Sequence, residues 1–304
     1  MPALTIKEAL SMGAKKLNES GSADVDPFRT ARILLCHLTG MNSSELVASY
    51  YETLPESMAS EFISLIERRQ NGEPLQYILG EWDFYGRKFI LNKDVFIPRP
   101  ETEFIIEAAK KYFTIYEYLT ILDLGTGSGA VGITLAAEFP KSIVIGVDIS
   151  LSALQTATVN SEINEVQKRV RFVNGDATTF FKQEPIFDLI VTNPPYVPEK
   201  DYIGLQREIV NWEPDIAFLG GNDGLDFLKR ILPIPGFDVE DCIPIETMLK
   251  QHGIFITEIG WSQKSGVIDL VQYDSNLEPI EVMEDYNGFP RTVVCRKSGE
   301  ILLF

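Results

Sequence analysis

Thr120-Ile121-Leu122-Asp123-Leu124-Gly125-Thr126-Gly127-Ser128-Gly129 is the stretch that decides the fold. Its first half is a short apolar run ending in an acid and a leucine, which reads as a buried strand. Its second half is a glycine-rich turn that opens into a helix running through Leu135. A strand, glycine turn and helix in that order form the place where a doubly wound sheet receives nucleotide-like ligands, because glycines let backbone approach a ligand closely. Dinucleotide sites share such turns, and a tight turn without any ligand has the same pattern. The stretch alone therefore leaves the ligand open.

Working outward, strand-like runs recur at residues 142–148, 170–174, 187–192, 253–258, 277–283 and 292–296, with helical spacing between the earlier ones. Such alternation predicts an α/β domain with a mostly parallel sheet and helices on both faces, and the density of the last three runs suits an antiparallel edge. Asp148 closes the second strand about 20 residues beyond the loop, where an acid can accept hydrogen bonds from two ribose hydroxyls. Asp176, at the end of the third, could accept from an adenine amino group with Ala177 packing near the ring. A simple helix N-cap explains Asp176 as well.

The fourth strand, residues 187–192, ends in Asn193-Pro194-Pro195-Tyr196 on the same rim as the glycine turn. A planar amide or exocyclic amine nitrogen is a weak nucleophile because its lone pair is delocalised, so an enzyme must hold its N–H groups in fixed directions. The Asn193 side-chain oxygen can accept one N–H and the Pro194 carbonyl the other. Two prolines stiffen the backbone and bring no competing N–H, and the Tyr196 ring can pack on a flat group. A reaction centre at the fourth strand, with no pyrophosphate to hold, points to S-adenosylmethionine as cofactor and S-adenosylhomocysteine as product. The four residues do not separate an amide from an adenine amine.

Upstream, residues 6–69 show apolar residues at helical spacing, broken at Gly21-Ser22, Asp26-Pro27, Gly40, Pro55 and Asn71-Gly72. Asp26-Pro27 reads as an N-cap followed by proline in the first turn. A small helical bundle over residues 1–76 follows, then a β-hairpin linker over 77–97 rich in aromatic residues, then the α/β domain over 98–304. The run Ile97-Pro98-Arg99-Pro100-Glu101-Thr102-Glu103 is an extended turn, since each proline pushes its predecessor out of helical geometry, and a helix restarts at Phe104.

A formal charge of -17 would repel a polyphosphate, so a protein or small neutral partner fits better than nucleic acid. Cys36, Cys242 and Cys295 are dispersed, and His37 and His252 lack companions at metal-ligand spacing, so neither a disulfide framework nor a metal site is expected. No apolar run is long enough for a bilayer, and the acidic start is unlike a transit peptide; the cytoplasm is the expected compartment.

These residues resemble the HemK/PrmC family of protein-(glutamine-N5) methyltransferases, which modify the Gly-Gly-Gln motif of translation release factors. The resemblance rests on residues 72–80, Phe84-Tyr85-Gly86, residues 97–103, Asp123 to Gly129 and Asn193 to Tyr196, and extends to residues 220–225 and Glu258-Ile259-Gly260. It implies a Rossmann-like seven-stranded methyltransferase domain joined by a β-hairpin to an N-terminal helical domain that contacts the release factor. By motif match, Gly125, Thr126, Gly127, Ser128 and Gly129 would touch the methionine part of the cofactor, Asp148 the ribose, and Asp176 and Ala177 the adenine surroundings. Asn193, Pro194, Pro195 and Tyr196 would hold the glutamine amide, and Phe96 could wall the side-chain slot. Residues 233–241 and Gly288-Phe289-Pro290-Arg291 depart from the family pattern, away from the reaction centre, and leave a mitochondrial member open. A DNA adenine-N6 methyltransferase and a non-catalytic adaptor are the rival readings.

Overall fold

The computed structural model of the protein describes residues 4–19, 26–179, 185–232, 244–273 and 276–298; residues 233–241 lie outside them. The chain divides into two compact units, one of residues up to Glu81 together with Leu205–Trp212, the other of the remainder. The first holds α1 (Ile6–Glu19), α2 (Pro27–Thr39), α3 (Ser43–Ala48), α4 (Glu56–Gln70) and α5 (Leu75–Leu79). Leu10, Leu17, Leu34, Leu35, Phe62 and Ile66 form its core, and Gly13 lets the Phe62 ring sit where a Cβ would lie only 2.7 Å away. Local signals set the helix starts: the Asp26 carboxylate accepts from Arg29 N at 2.9 Å, and Asn42 and Glu45 form a reciprocal capping box on α3. Segment Leu205–Trp212 joins this unit through Arg69, whose buried guanidinium donates to Glu73 O at 2.9 Å and pairs with Glu208 at 2.6 Å. A guanidinium taken out of water requires such an anion, and its source was not evident from sequence spacing.

The larger unit begins with a hairpin of β1 (Glu81–Phe84) and β2 (Arg87–Ile90). Its turn residues Tyr85 and Gly86 both take positive φ, as a tight primed turn demands, and Phe84 and Phe89 meet edge to face at 6.1 Å. Then follow α6 (Glu103–Tyr112), β3 (Thr120–Leu124), α7 (Ala130–Glu138), β4 (Ile143–Asp148), α8 (Leu151–Ile163), β5 (Val170–Asn174) and β6 (Phe187–Thr192). Beyond them lie α9 (Glu199–Tyr202), α11 (Asp226–Ile231), α12 (Ile245–Met248), β7 (Leu249–Glu258), α13 (Lys264–Tyr273), β8 (Leu277–Glu284) and β9 (Pro290–Lys297), while α10 (Arg207–Trp212) belongs to the first unit.

Among the described residues the main sheet has seven strands in the order β5-β4-β3-β6-β7-β9-β8. Strands β3 to β7 pair in parallel, and β9 runs antiparallel between β7 and β8. The last three runs thus pair as the expected antiparallel edge, with β9 between β7 and β8, while β7 also continues the parallel core. Helix α7 is buried on every side from Ala130 to Ala136, which accounts for its lack of a polar face. After β3 the chain builds outward through β4 and β5, then returns to lay β6 on the opposite side of β3. The carboxyl ends of β3 and β6 therefore flank the switch point of the sheet, where ligands bind in such folds.

Candidate active site

Leu124 pairs in register with Thr192, and Thr192 Oγ1 donates to Leu124 O at 2.8 Å, so the glycine turn and the Asn193 loop leave the sheet side by side. A cavity of about 380 Å³ opens there, lined by both loops together with Phe96, Asp148, Asp176, Ala177 and Phe218. Every residue singled out from the sequence, apart from Gly129 and Pro194, lies on this lining. Those two occupy the same loops.

The glycine turn is shaped by Asp123. Its Oδ2 accepts from Thr126 Oγ1 at 2.6 Å and from Gly132 N at 3.0 Å, tying strand end, loop and first helical turn together. Burial pushes its pKa up to about 6 against those two hydrogen bonds. Gly127 sits at φ 55, and its N–H donates to Asp148 Oδ2 at 2.8 Å, while Asp148 Oδ1 accepts from Ser150 N at 2.9 Å. Asp148 is thereby held rigid with lone pairs to spare, and burial raises its pKa. A Cβ added to Gly125 or Gly127 would meet nothing nearer than 4.0 Å, which marks open room beside the backbone.

Among the described residues Asp176 caps no helix. Its Oδ1 accepts from Thr178 N at 2.9 Å and Thr178 Oγ1 at 2.7 Å in a tight turn, and Oδ2 pairs with Arg230 at 3.2 Å. Burial opposes ionisation, but the Thr178 bonds and Arg230 outweigh it and hold the carboxyl below its ordinary value. Among the described residues Arg230 is the one Lys or Arg on the lining, against Asp94, Asp123, Asp148, Asp176 and Asp226. Such a field disfavours a polyphosphate and suits a ligand carrying positive charge.

The Asn193 loop is held by residues the motif itself does not announce. Asn193 Nδ2 donates to Thr102 Oγ1 at 3.0 Å, which leaves Oδ1 as the acceptor end of the side chain. Tyr196 Oη donates to Glu258 Oε1 at 3.1 Å, and Tyr196 O receives Gln263 Nε2 at 2.9 Å. The same Gln263 amide reaches Asp223 O at 3.2 Å, clamping the loop to residues 220–224. Val197 bridges Leu219 in parallel, through Val197 N to Phe218 O at 2.8 Å and Gly220 N to Val197 O at 2.9 Å. Phe96 stands edge to face with Phe218 at 5.4 Å, and Arg99 lies over its ring at 5.0 Å while pairing with the buried Glu213. Ile97 N also donates to Glu213, at 3.0 Å, so the proline-rich turn is anchored at both ends of that carboxylate. Glu213 and Gln263 carried no warning in the sequence, and Thr102 stood out only as a member of the 97–103 run. Glu258 and the 220–225 run stood out as parts of the family resemblance.

A second bridge is equally non-local. The fully buried Asn160 on α8 donates to Ser128 O at 2.9 Å and Ile90 O at 3.1 Å and accepts from Ile90 N at 2.7 Å, joining the glycine turn to the hairpin.

A family model described as the PrmC N-terminal domain matches residues 8–80, and one described as the Methyltransferase small domain matches residues 102–214. A Bacillus subtilis (strain 168) protein called Release factor glutamine methyltransferase is 39% identical over 294 residues, covering 95% of this chain and 96% of its own length. One of the same name from Koribacter versatilis (strain Ellin345) is 36% identical over 294 residues, covering 97% and 99%. Among solved structures, the hMettl16 catalytic domain in complex with the MAT2A 3'UTR hairpin 6 aligns with a TM-score of 0.53 at 16% identity, covering 80% of this chain and 82% of that one. At that identity the likeness is one of fold.

Proposed function

The chain belongs to the release factor glutamine methyltransferase family, and from that premise we propose that it methylates the side-chain amide nitrogen, N5, of the glutamine in the Gly-Gly-Gln motif of a peptide chain release factor. The observation that carries this reading is the orientation of Asn193. With Nδ2 spent on Thr102, the side chain offers an oxygen to the pocket, and an oxygen is what an amide N–H needs.

The lining fits S-adenosylmethionine. Room beside Gly125 and Gly127 suits the methionine part, the fixed carboxylate of Asp148 suits two ribose hydroxyls, and Ala177 beside Asp176 suits the adenine. An acidic lining with one engaged cation favours a sulfonium over a pyrophosphate. When bound, this cofactor supplies an electrophilic methyl group.

The protein's own part is positioning. Asn193 Oδ1 and the Pro194 carbonyl each accept one amide N–H, the Tyr196 ring lies against the flat group, and Phe96 with Phe218 walls the slot. The nitrogen grows acidic as it is methylated and can lose its proton to water, so no permanent general base is required. Residues 1–76 are assigned to docking the release factor, 77–97 to the linker and 98–304 to catalysis. The acidic total charge favours this protein substrate over nucleic acid, and the dispersed cysteines favour a reducing compartment such as the cytoplasm. Among the described residues no helix is long and apolar enough to cross a membrane.

Incubation with methyl-labelled cofactor tests the proposal. Label should enter a release factor and vanish when its Gly-Gly-Gln glutamine is changed to alanine; label in duplex DNA instead would overturn it.

A further inference from the structure

Behind the Asn193 loop lies a carboxyl that the chemistry above leaves unused. Glu258, at the end of β7, is 1% exposed and receives the Tyr196 hydroxyl on Oε1, while its Oε2 accepts no hydrogen bond among the described residues. The Thr102 hydroxyl faces the same carboxyl. Thr102 in turn accepts Asn193 Nδ2 at 3.0 Å. A hydroxyl has one proton to give, and an ionised carboxyl can only accept. With its oxygen receiving the Asn193 amide, Thr102 has its own proton free to turn toward Glu258, whose Oε2 is without a partner among the described residues.

We infer that Glu258 is a positioning residue which, through Thr102 and Tyr196, fixes the end of the Asn193 carboxamide that meets the substrate. The inference rests on the reading of Asn193 as holder of the substrate amide. The direction of the relay is what matters. A carboxylate at its root makes both hydroxyls donate inward, so Asn193 must donate to Thr102 and present oxygen outward. A neutral carboxyl can donate, the Thr102 proton is then released toward Asn193, and the carboxamide is free to turn. A turned Asn193 would set its NH2 against the substrate NH2, donor against donor.

Several charges face this carboxyl. Burial is the largest influence and raises its pKa to about 7; Thr102, Tyr196 and Arg291 on β9 pull it down, and Glu101 in the proline-rich turn pushes it up. Arg99 and Arg291 also face Tyr196, whose phenol is raised by burial and by Glu258. Because the carboxylate is the competent form, activity is present above that pKa and lost as the pH falls through it. With saturating cofactor, which takes Asp123 and Asp148 out of the profile, kcat should fall about tenfold per pH unit below about 7.

The test compares kcat, substrate KM, cofactor affinity and the pH profile of kcat for wild type, Glu258→Gln, Thr102→Val and Asn193→Ala. A glutamine side chain cannot titrate, and only one of its two ends accepts, whereas both carboxylate oxygens do. Glu258→Gln should lower kcat on the order of 10²-fold, leave cofactor affinity at the wild-type value, and flatten the acid limb. Thr102→Val keeps the shape of the side chain and removes the relay alone, so it should lower kcat comparably even if the glutamine variant folds poorly. A purely architectural Glu258 would lower the folded fraction and leave the acid limb in place. Wild-type kcat with an intact acid limb in Glu258→Gln, beside an inactive Asn193→Ala, would sink the inference alone. Wild-type turnover by Asn193→Ala would instead remove the reading on which it stands.

Discussion

Two loops leave adjacent strands at the switch point, and they are held in opposite ways. The glycine turn is fixed from nearer by: Thr126 and Gly132 bond Asp123 at separations of 3 and 9 residues, Gly127 bonds Asp148 at 21 and Ser128 bonds Asn160 at 32. The Asn193 loop is fixed from afar, by Thr102, Glu258 and Gln263 at separations of 91, 62 and 67 residues. A cofactor pocket can thus be built by one supersecondary unit, whereas the substrate grip exists only when four segments of chain have come together. Changes in the supports of the second loop should therefore damage turnover with little effect on cofactor binding.

The largest effect is expected from Gly224→Ala. Its Cβ would lie 2.2 Å from Tyr196 O and 2.3 Å from Gln263 Nε2, and the φ of 78 already disfavours a side chain. The loop must shift, and a displacement near 1 Å costs on the order of 10²-fold in rate. Turnover assays should show that loss while calorimetry shows wild-type affinity for S-adenosylmethionine. Equal loss of both would mean that the two loops are one mechanical unit.

The same contrast explains what could be read from the sequence. The strand and turn from Thr120 to Gly129, the Asp148 position and the Asn193 grip are each encoded within about ten residues, where apolar periodicity and glycine placement have direct physical meaning. The N-cap at Asp26 is legible for the same reason. Thr102 and Gln263 are polar residues whose partners lie on other elements, so spacing carries no trace of their bonds. Asn160, which bridges a hairpin and a glycine turn from a helix whose sequence shows no unusual pattern, was illegible in the same way. The attachment of Leu205–Trp212 to the N-terminal helices depends on Arg69 finding Glu208 across 139 residues, a pairing that only the folded chain defines.

The second effect belongs to the other loop. Asp148→Ala removes an acceptor fixed by two backbone N–H groups, and charge-assisted hydrogen bonds of this sort contribute about 1.5–3 kcal/mol. Affinity for S-adenosylmethionine should drop roughly 10- to 100-fold. At saturating cofactor, kcat should stay near wild type, since none of the supports of Asn193 involves Asp148. Wild-type affinity by calorimetry would remove Asp148 from the ribose role.

The smallest effect sharpens the contrast most. Gly127→Ala places a Cβ at φ 55, where an L-residue costs about 1–2 kcal/mol, yet the added carbon would meet only Gly125 O, 4.0 Å away. There is no collision to relieve, and the Gly127 N–H bond to Asp148 at 2.8 Å keeps the left-handed turn in place. Strain spread over one turn should lower the melting temperature by about 2–4 °C per kcal/mol and weaken cofactor binding several-fold, with kcat at saturation preserved. Gly224→Ala, also a glycine at positive φ, differs in having backbone behind it, so the gap between the two alanine variants measures the collision rather than the dihedral. If both variants lost turnover alike, positive φ alone would be the governing term, and the distinction between a locally held and a remotely held loop would fail.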